Sequence, residues 1–261
     1  MILVFDVGNT ETTIGLFDGS RLHAHWRVTT DVARTPDEFA MLIDGLLRYR
    51  GVKRDEIRGA GIGSVVPAVT GPLADACRVI TGTTPRVIDA HAPLPIVLDV
   101  EEPASVGADR IINTLAASRI YQADTIVVDL GTATTYDCIT AEGVFLGGII
   151  APGLRSSADT LIRRTSKLPA TELVPPARAL GRRTEECIRA GVMLGTADMI
   201  DGLVRRLKKE WPTSRVPKVV ATGGLAEVVA PLSEEIEHVE PFLTLYGLQI
   251  AYALLDGATG V

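Results

Sequence analysis

Several things are scarce in this chain, and each scarcity excludes a class. There are only 3 cysteines in 261 residues, Cys77, Cys138 and Cys187, far apart and without a C-x-x-C pair. That spacing excludes a disulfide framework and a structural zinc site, and it points to a reducing cytoplasm. No apolar run approaches the length of a membrane-spanning helix. The opening Met-Ile-Leu-Val-Phe-Asp run has no basic stretch before it and reads as a strand, not a signal peptide. Basic residues are in deficit, 26 Lys plus Arg against 32 Asp plus Glu, so a net charge of −6 argues against a protein that grips nucleic acid. No P-loop is present, and no G-x-G-x-x-G opens a helix.

What remains is an ordinary globular composition, 46% hydrophobic and 22% charged, able to bury a large core. Strand and helix signals alternate, which gives an α/β class. Met1 to Asp6 reads as a buried strand. Thr12 to Phe17 and Leu22 to Val28 follow as a hairpin about Asp18-Gly19. Thr35 and Pro36 start a helix that runs to Tyr49 with one apolar face. Gly59 to Val66 is a glycine-rich strand whose spacing is structural, and Pro67 to Ile80 is helical. Further helices are expected over Ser156–Thr165, Thr184–Leu207 and Leu243–Leu255, and a strand over Lys218–Thr222.

The opening pattern recurs. Thr125 to Thr132 is again a buried strand ending in Asp-x-Gly, now at Asp129, followed by a strand and a turn at Glu142-Gly143. The two aspartates lie 123 positions apart (129 − 6), nearly half the chain. A repeat of that period means two similar lobes, drawn as 1–115 and 116–261.

Three constellations carry chemistry. In the first turn, Asp6, Val7, Gly8, Asn9, Thr10, Glu11, Thr12 and Thr13 combine a glycine, which lets a ligand approach, with backbone donors that nest an anion. A plain Asx-type turn would look the same. Asp129-Leu130-Gly131-Thr132-Ala133-Thr134 repeats it, and Gly223-Gly224 after a strand is the complement. The third is Gly107-Ala108-Asp109-Arg110 at a helix start. Asp109 there is either a first-turn carboxylate favoured by the helix dipole or an acceptor for a substrate hydroxyl proton. Arg110 opposes the dipole and so suggests an anionic ligand.

In order and nearly over its full length, the chain resembles the type III pantothenate kinases. Carrying the resemblance are Asp6–Thr10 with Gly15, Gly107–Arg110, Asp129–Thr134, Gly147–Gly153, Leu168-Pro169, Thr184, Ile200–Gly202 and Ala221–Gly224. It implies an actin-like, ribonuclease H-like duplicated fold with ATP bound between the lobes. By resemblance the chain is a homodimeric cytoplasmic enzyme of coenzyme A synthesis, using ATP, Mg²⁺ and K⁺ or NH₄⁺ on pantothenate. Asp109 would be the proton acceptor, and residues 6–13 with Thr132 would meet ATP. Asp129 would help hold the monovalent cation. Gly107, Ala108, Asp109 and Arg110 would cradle pantothenate, with Val100 where the family carries a tyrosine. Thr184 would serve that site from a facing subunit. Ser105, Ile188-Arg189 and Tyr246 also depart from the family's usual residues, and Tyr246 is a candidate to fill the room that Val100 leaves. Two other classes stand beside this one. One is another small-molecule kinase on the same fold; the other is a non-catalytic transcriptional regulator, which the net charge and the intact Asp6, Asp109 and Asp129 speak against. The four histidines have no ligand spacing, and the three cysteines are expected in or near the core.

Overall fold

The computed structural model describes residues 1–257. The chain separates into two compact units, Met1–Ile120 with the segment from Leu243 on, and Tyr121–Phe242.

The first unit opens as a meander, β1 (Ile2–Val7), β2 (Glu11–Asp18) and β3 (Arg21–Thr29). Gly19, at φ +60°, closes the β2–β3 hairpin. Helix α1 (Pro36–Tyr49) starts at a capping box: the Thr35 hydroxyl accepts the Glu38 N–H, and the Glu38 carboxylate accepts the Thr35 N–H. Then come β4 (Gly59–Ser64), α2 (Pro67–Thr81), β5 (Arg86–Ile88), β6 (Val97–Leu98) and α3 (Ala108–Tyr121). The sheet order is β3-β2-β1-β4-β5, with β4 parallel to β1 and β5 parallel to β4.

Strand alternation sorts the sheet's two faces. Leu3, Phe5, Val7, Ala60 and Ile62 join Phe39, Ile43, Leu73 and Cys77 of α1 and α2 in one core. The opposite face of β4 is a row of glycines. A Cβ on Gly59 would overlap the Tyr252 ring and one on Gly63 would overlap Ile112 Cδ1. The absent side chains let helices lie directly on the strand, which is why this glycine run is structural.

The second unit repeats the plan. Strands β7 (Thr125–Leu130), β8 (Ala133–Ile139) and β9 (Val144–Pro152) form an antiparallel meander. Helices α4 (Leu154–Arg163) and α5 (Thr184–Lys209) follow, then β10 (Lys218–Thr222), α6 (Ala226–Val229) and β11 (His238–Val239). The order β9-β8-β7-β10-β11, with β10 parallel to β7, matches strand for strand the order of the first unit. Met193, Ile200 and Val204 of α5 pack with Ile126, Val128 and Tyr136 in its core.

Helix α7 (Leu243–Leu255) then returns to the first unit. This differs from the contiguous cut at 115/116, which gives the whole C-terminal half to the second lobe. The reason is packing: Leu248 reaches the Gly63 position, and a Cβ on Gly247 would lie 2.5 Å from the Ile112 carbonyl oxygen. The Thr244 hydroxyl also donates to buried Asn113 Oδ1 at 2.9 Å.

Candidate functional site

The first turn is built at the end of β1. Asp6 pairs with Thr13 across the hairpin and with Gly63 on β4. The Gly8 N–H donates to the Glu11 carbonyl at 3.1 Å, and a Cβ on Gly8 would meet that oxygen at 3.0 Å. Asn9, Thr10 and Glu11 are exposed, whereas Val7 is in the core and Thr12 is buried. Through its side chain Val7 therefore serves the fold, leaving its backbone to the turn. Thr30, which the sequence does not single out, grips this turn. Its hydroxyl donates to the Gly8 carbonyl at 2.7 Å, and its N–H donates to the Thr10 carbonyl at 3.0 Å.

The Gly107–Arg110 turn comes to the same sheet edge. Gly107 precedes α3, and its carbonyl accepts the N–H groups of Arg110 and Ile111. Asp109 Oδ1 accepts the Arg110 N–H at 2.8 Å, which fixes the carboxylate against the helix start. A Cβ on Gly107 would lie 2.5 Å from Asp109 Oδ1 and 3.6 Å from Val65 Cγ1. Val65 in turn donates its N–H to the Val7 carbonyl at 3.1 Å. Because Asp6 and Gly63 are register partners and Gly63 carries Ile112 of α3, the glycine row of β4 brings Asp6 and the start of α3 to one edge.

The second turn ends β7. Asp129 pairs with Thr135 across the hairpin and with Thr222 of β10, and the Gly131 N–H donates to the Ala133 carbonyl at 3.1 Å. Gly223, at φ +89°, lies directly against Asp129 and Leu130. A Cβ on Gly153 would overlap the Thr132 carbonyl, so the β9–α4 junction lies on this turn. Ser156 of α4 donates its hydroxyl to that carbonyl at 2.7 Å. Thr30 and Ser156 are the site contacts that motif spacing misses. Their only sequence signal is a hydroxyl residue soon after the third strand of each meander.

Other expected residues sort themselves out. Thr184 is the exposed first residue of α5, and Val100 is half-buried in the loop after β6. Tyr246 makes an edge-on contact with Phe17, ring centroids 5.7 Å apart. Phe17 is paired with Ile2, at the end of β1 away from the turn. Asp201 is buried and accepts the Ser233 hydroxyl and the N–H groups of Glu234 and Glu235; it braces a loop. Burial, then the nearby Asp201 charge, pushes the Tyr136 hydroxyl up. Cys77 and Cys138 are buried, but Cys187 is exposed on α5, which corrects the expectation for all three. Among the described residues no three or more His, Cys, Asp or Glu side chains gather as a metal cluster, and no helix is long and apolar enough to cross a membrane.

A family model described as type III pantothenate kinase matches residues 2–206. A type III pantothenate kinase of Roseiflexus sp. (strain RS-1) is 45% identical over 97% of this chain and 99% of its own length. One from Syntrophotalea carbinolica is 46% identical over 97% and 98%. Among solved structures, a protein described as a Baf family transcriptional activator from Campylobacter jejuni superposes with TM-score 0.60 at 19% identity, covering 98% of this chain and 99% of that one. Component A of (R)-2-hydroxyglutaryl-CoA dehydratase from Acidaminococcus fermentans gives 0.57 at 17%, covering 99% of both chains. At such identities these structures establish the fold alone, that of the actin-like ATPases and sugar kinases.

Proposed function

The chain belongs to the type III pantothenate kinase family, and from that premise we propose that it transfers the γ-phosphoryl group of ATP to the primary hydroxyl of pantothenate. The product is 4′-phosphopantothenate, and the reaction opens coenzyme A biosynthesis. The observation that supports this assignment most is the Asp109 carboxylate, tied to the start of α3 at the edge where the Asp6 turn ends β1.

In this reading the backbone N–H groups of the turn at Asp6–Thr13 and of the turn at Thr132 take phosphate oxygens. Pantothenate lies on Gly107 and Ala108, with Val100 and Thr184 as further contacts. Arg110 pairs with its carboxylate. Asp109 Oδ1 is engaged by the Arg110 N–H, and Oδ2 faces the substrate hydroxyl. As the hydroxyl oxygen forms its bond to the γ-phosphorus, the bond to the bridging oxygen of ADP breaks. The hydroxyl proton passes to Asp109. A loose transition state asks for positioning of this carboxylate more than for a strong base.

Asp129 is a hard oxygen donor at its strand end, which suits a monovalent cation beside it, and Mg²⁺ would be held mostly by water and phosphate oxygens. The divalent ion neutralises phosphate charge when bound. The enzyme works in the cytoplasm as a homodimer in which Thr184 serves the facing subunit, with K⁺ or NH₄⁺ as its monovalent ion.

The test is ADP release by the purified chain with ATP and Mg²⁺, with and without pantothenate, in K⁺ and in Na⁺. Pantothenate-dependent release and a product heavier by one phosphoryl group are expected. ATP consumption that ignores pantothenate but responds to a sugar or acetate would assign another kinase of the same fold.

A further inference from the structure

Each of the two turns has one carbonyl held by a side-chain hydroxyl from outside its own hairpin. Thr30 donates to the Gly8 carbonyl at 2.7 Å, and Ser156 donates to the Thr132 carbonyl at 2.7 Å. The two clamps lie 126 positions apart (156 − 30), close to the 123 between Asp6 and Asp129. Each follows the third strand of its meander. They are nevertheless made from different residues on different local structure, one in the loop after β3 and one in the first turn of α4. A bond needed only for a local turn has no reason to recur in both units at the same topological place.

A trans peptide is planar, with its C=O and N–H pointing in opposite directions. Holding the Gly8 carbonyl toward Thr30 therefore turns the Asn9 N–H away from Thr30. Holding the Thr132 carbonyl toward Ser156 turns the Ala133 N–H away from Ser156. Gly8 would otherwise let the Gly8–Asn9 peptide flip at little cost. At the first turn the hydrogen-bond count fixes the direction of a relay. The single Thr30 hydroxyl proton goes to Gly8, so in the 2.9 Å Thr12–Thr30 contact Thr12 is the donor. Buried Thr12 thus orients Thr30, and Thr30 orients the turn.

We infer that Thr30 and Ser156 are positioning residues for nucleotide: they fix the peptides Gly8–Asn9 and Thr132–Ala133 so that the Asn9 and Ala133 N–H groups face phosphate oxygens. The inference rests on the proposed kinase reading, and it concerns ATP and not pantothenate.

The experiment compares wild type, Thr30→Val, Ser156→Ala and the hydroxyl-restoring Thr30→Ser and Ser156→Thr. Calorimetry gives separate dissociation constants for MgATP and for pantothenate, and turnover gives KM and kcat. Losing one clamp should weaken MgATP by about three- to tenfold, the worth of one hydrogen bond. Pantothenate should stay within about twofold, and Thr30→Ser should restore MgATP binding. Unchanged MgATP affinity in both Thr30→Val and Ser156→Ala overturns the inference. Equal weakening of both ligands together with a lowered Tm also overturns it, because that is the mark of general damage. Should Thr30→Val not fold, Ser156→Ala decides alone. Wild type that binds no MgATP would instead overturn the kinase reading.

Discussion

Gly223 stands so close to Asp129 that a Cβ built on it would lie 2.5 Å from Oδ1, and 2.9 Å from both N and C of Leu130. The strand order explains the contact: Thr222 is the register partner of Asp129 in parallel β10 and β7, so the residue after one faces the residue after the other. Gly223 also sits at φ +89°, a region that costs an L residue about 1–2 kcal/mol.

Gly223→Ala therefore meets strain and a backbone clash together. The Asp129 carboxylate would have to shift, and the two Leu130 neighbours are main-chain atoms that cannot swing aside. The variant should lose about 2 kcal/mol or more in urea denaturation. It should also bind MgATP more weakly, because Asp129 must move. A variant with wild-type stability and wild-type affinity would show that the turn gives way freely.

The contact of Gly63 with Ile112 makes a different forecast, because there the obstacle is the end of a side chain. Gly63→Ala should cost about 1–3 kcal/mol by overpacking. Ile112→Ala should cost about 2–5 kcal/mol by leaving a cavity. Together they should cost at least about 1 kcal/mol less than their sum, since the new methyl enters the vacated space. Strict additivity in the double-mutant cycle would mean that α3 does not lie on β4 as described.

Much of this frame is legible from the sequence. The two Asp-x-Gly turns, the hairpins at Gly19 and Gly143 and the capping box at Thr35 are local signals, and local chemistry decides them. The strands at Arg86, Val97 and His238 are two or three residues long, too short for alternation to register. The return of α7 to the first unit is invisible for another reason: its faces are nearly all apolar, and only the glycines of β4 and Gly247 tell which surface it meets. Thr30 and Ser156 are hidden because a hydroxyl far along the chain carries no period.

Asp124 is buried with its carboxylate fully engaged. Trp211 Nε1 donates at 2.8 Å, the Ala141 N–H at 2.9 Å, and Thr213 and Arg215 complete the set. Burial pushes its pKa up, but the Trp211, Ala141, Arg215 and Thr213 bonds outweigh it and hold the group below its ordinary value. A depressed folded pKa gives stability that is present above the unfolded value of about 3.9 and is lost as pH falls through the folded one. Asp124→Asn should cost about 1.5–3 kcal/mol at neutral pH, the worth of a hydrogen bond to a charged group. It should also flatten the acid limb of the stability curve, followed by Trp211 fluorescence. An unchanged acid limb would exclude Asp124 as its source.

The cysteines divide by burial. The Cys77 thiol is pushed up to about 12 by burial, and Cys138 is also enclosed, whereas Cys187 is exposed. A thiol reagent at neutral pH should label one equivalent in the folded protein, lost in Cys187→Ser, and three after unfolding. Rapid labelling of Cys77 in the native state would mean that the α1–α2 core opens readily.

Asp109 separates the chemical role from the structural one. As a first-turn carboxylate it contributes roughly 0.3–1 kcal/mol through the helix dipole. Asn in its place retains a side-chain oxygen for the Arg110 N–H, so the helix start should stay intact and the Tm should fall little. A general base does a job that Asn cannot do, and losing it typically costs about 10²–10⁴-fold in rate. Asp109→Asn should therefore lose kcat in that range while binding MgATP normally, because the turns at Asp6 and Asp129 have their own supports in Thr30, Ser156 and Gly223. Arg110→Gln, by contrast, should raise the KM for pantothenate more than it lowers kcat, since it removes a binding charge and leaves the proton acceptor. The two variants thus split kcat from KM along one turn of α3. If Asp109→Asn keeps more than about a tenth of wild-type kcat, the proton goes elsewhere and Asp109 is a helix-start residue only.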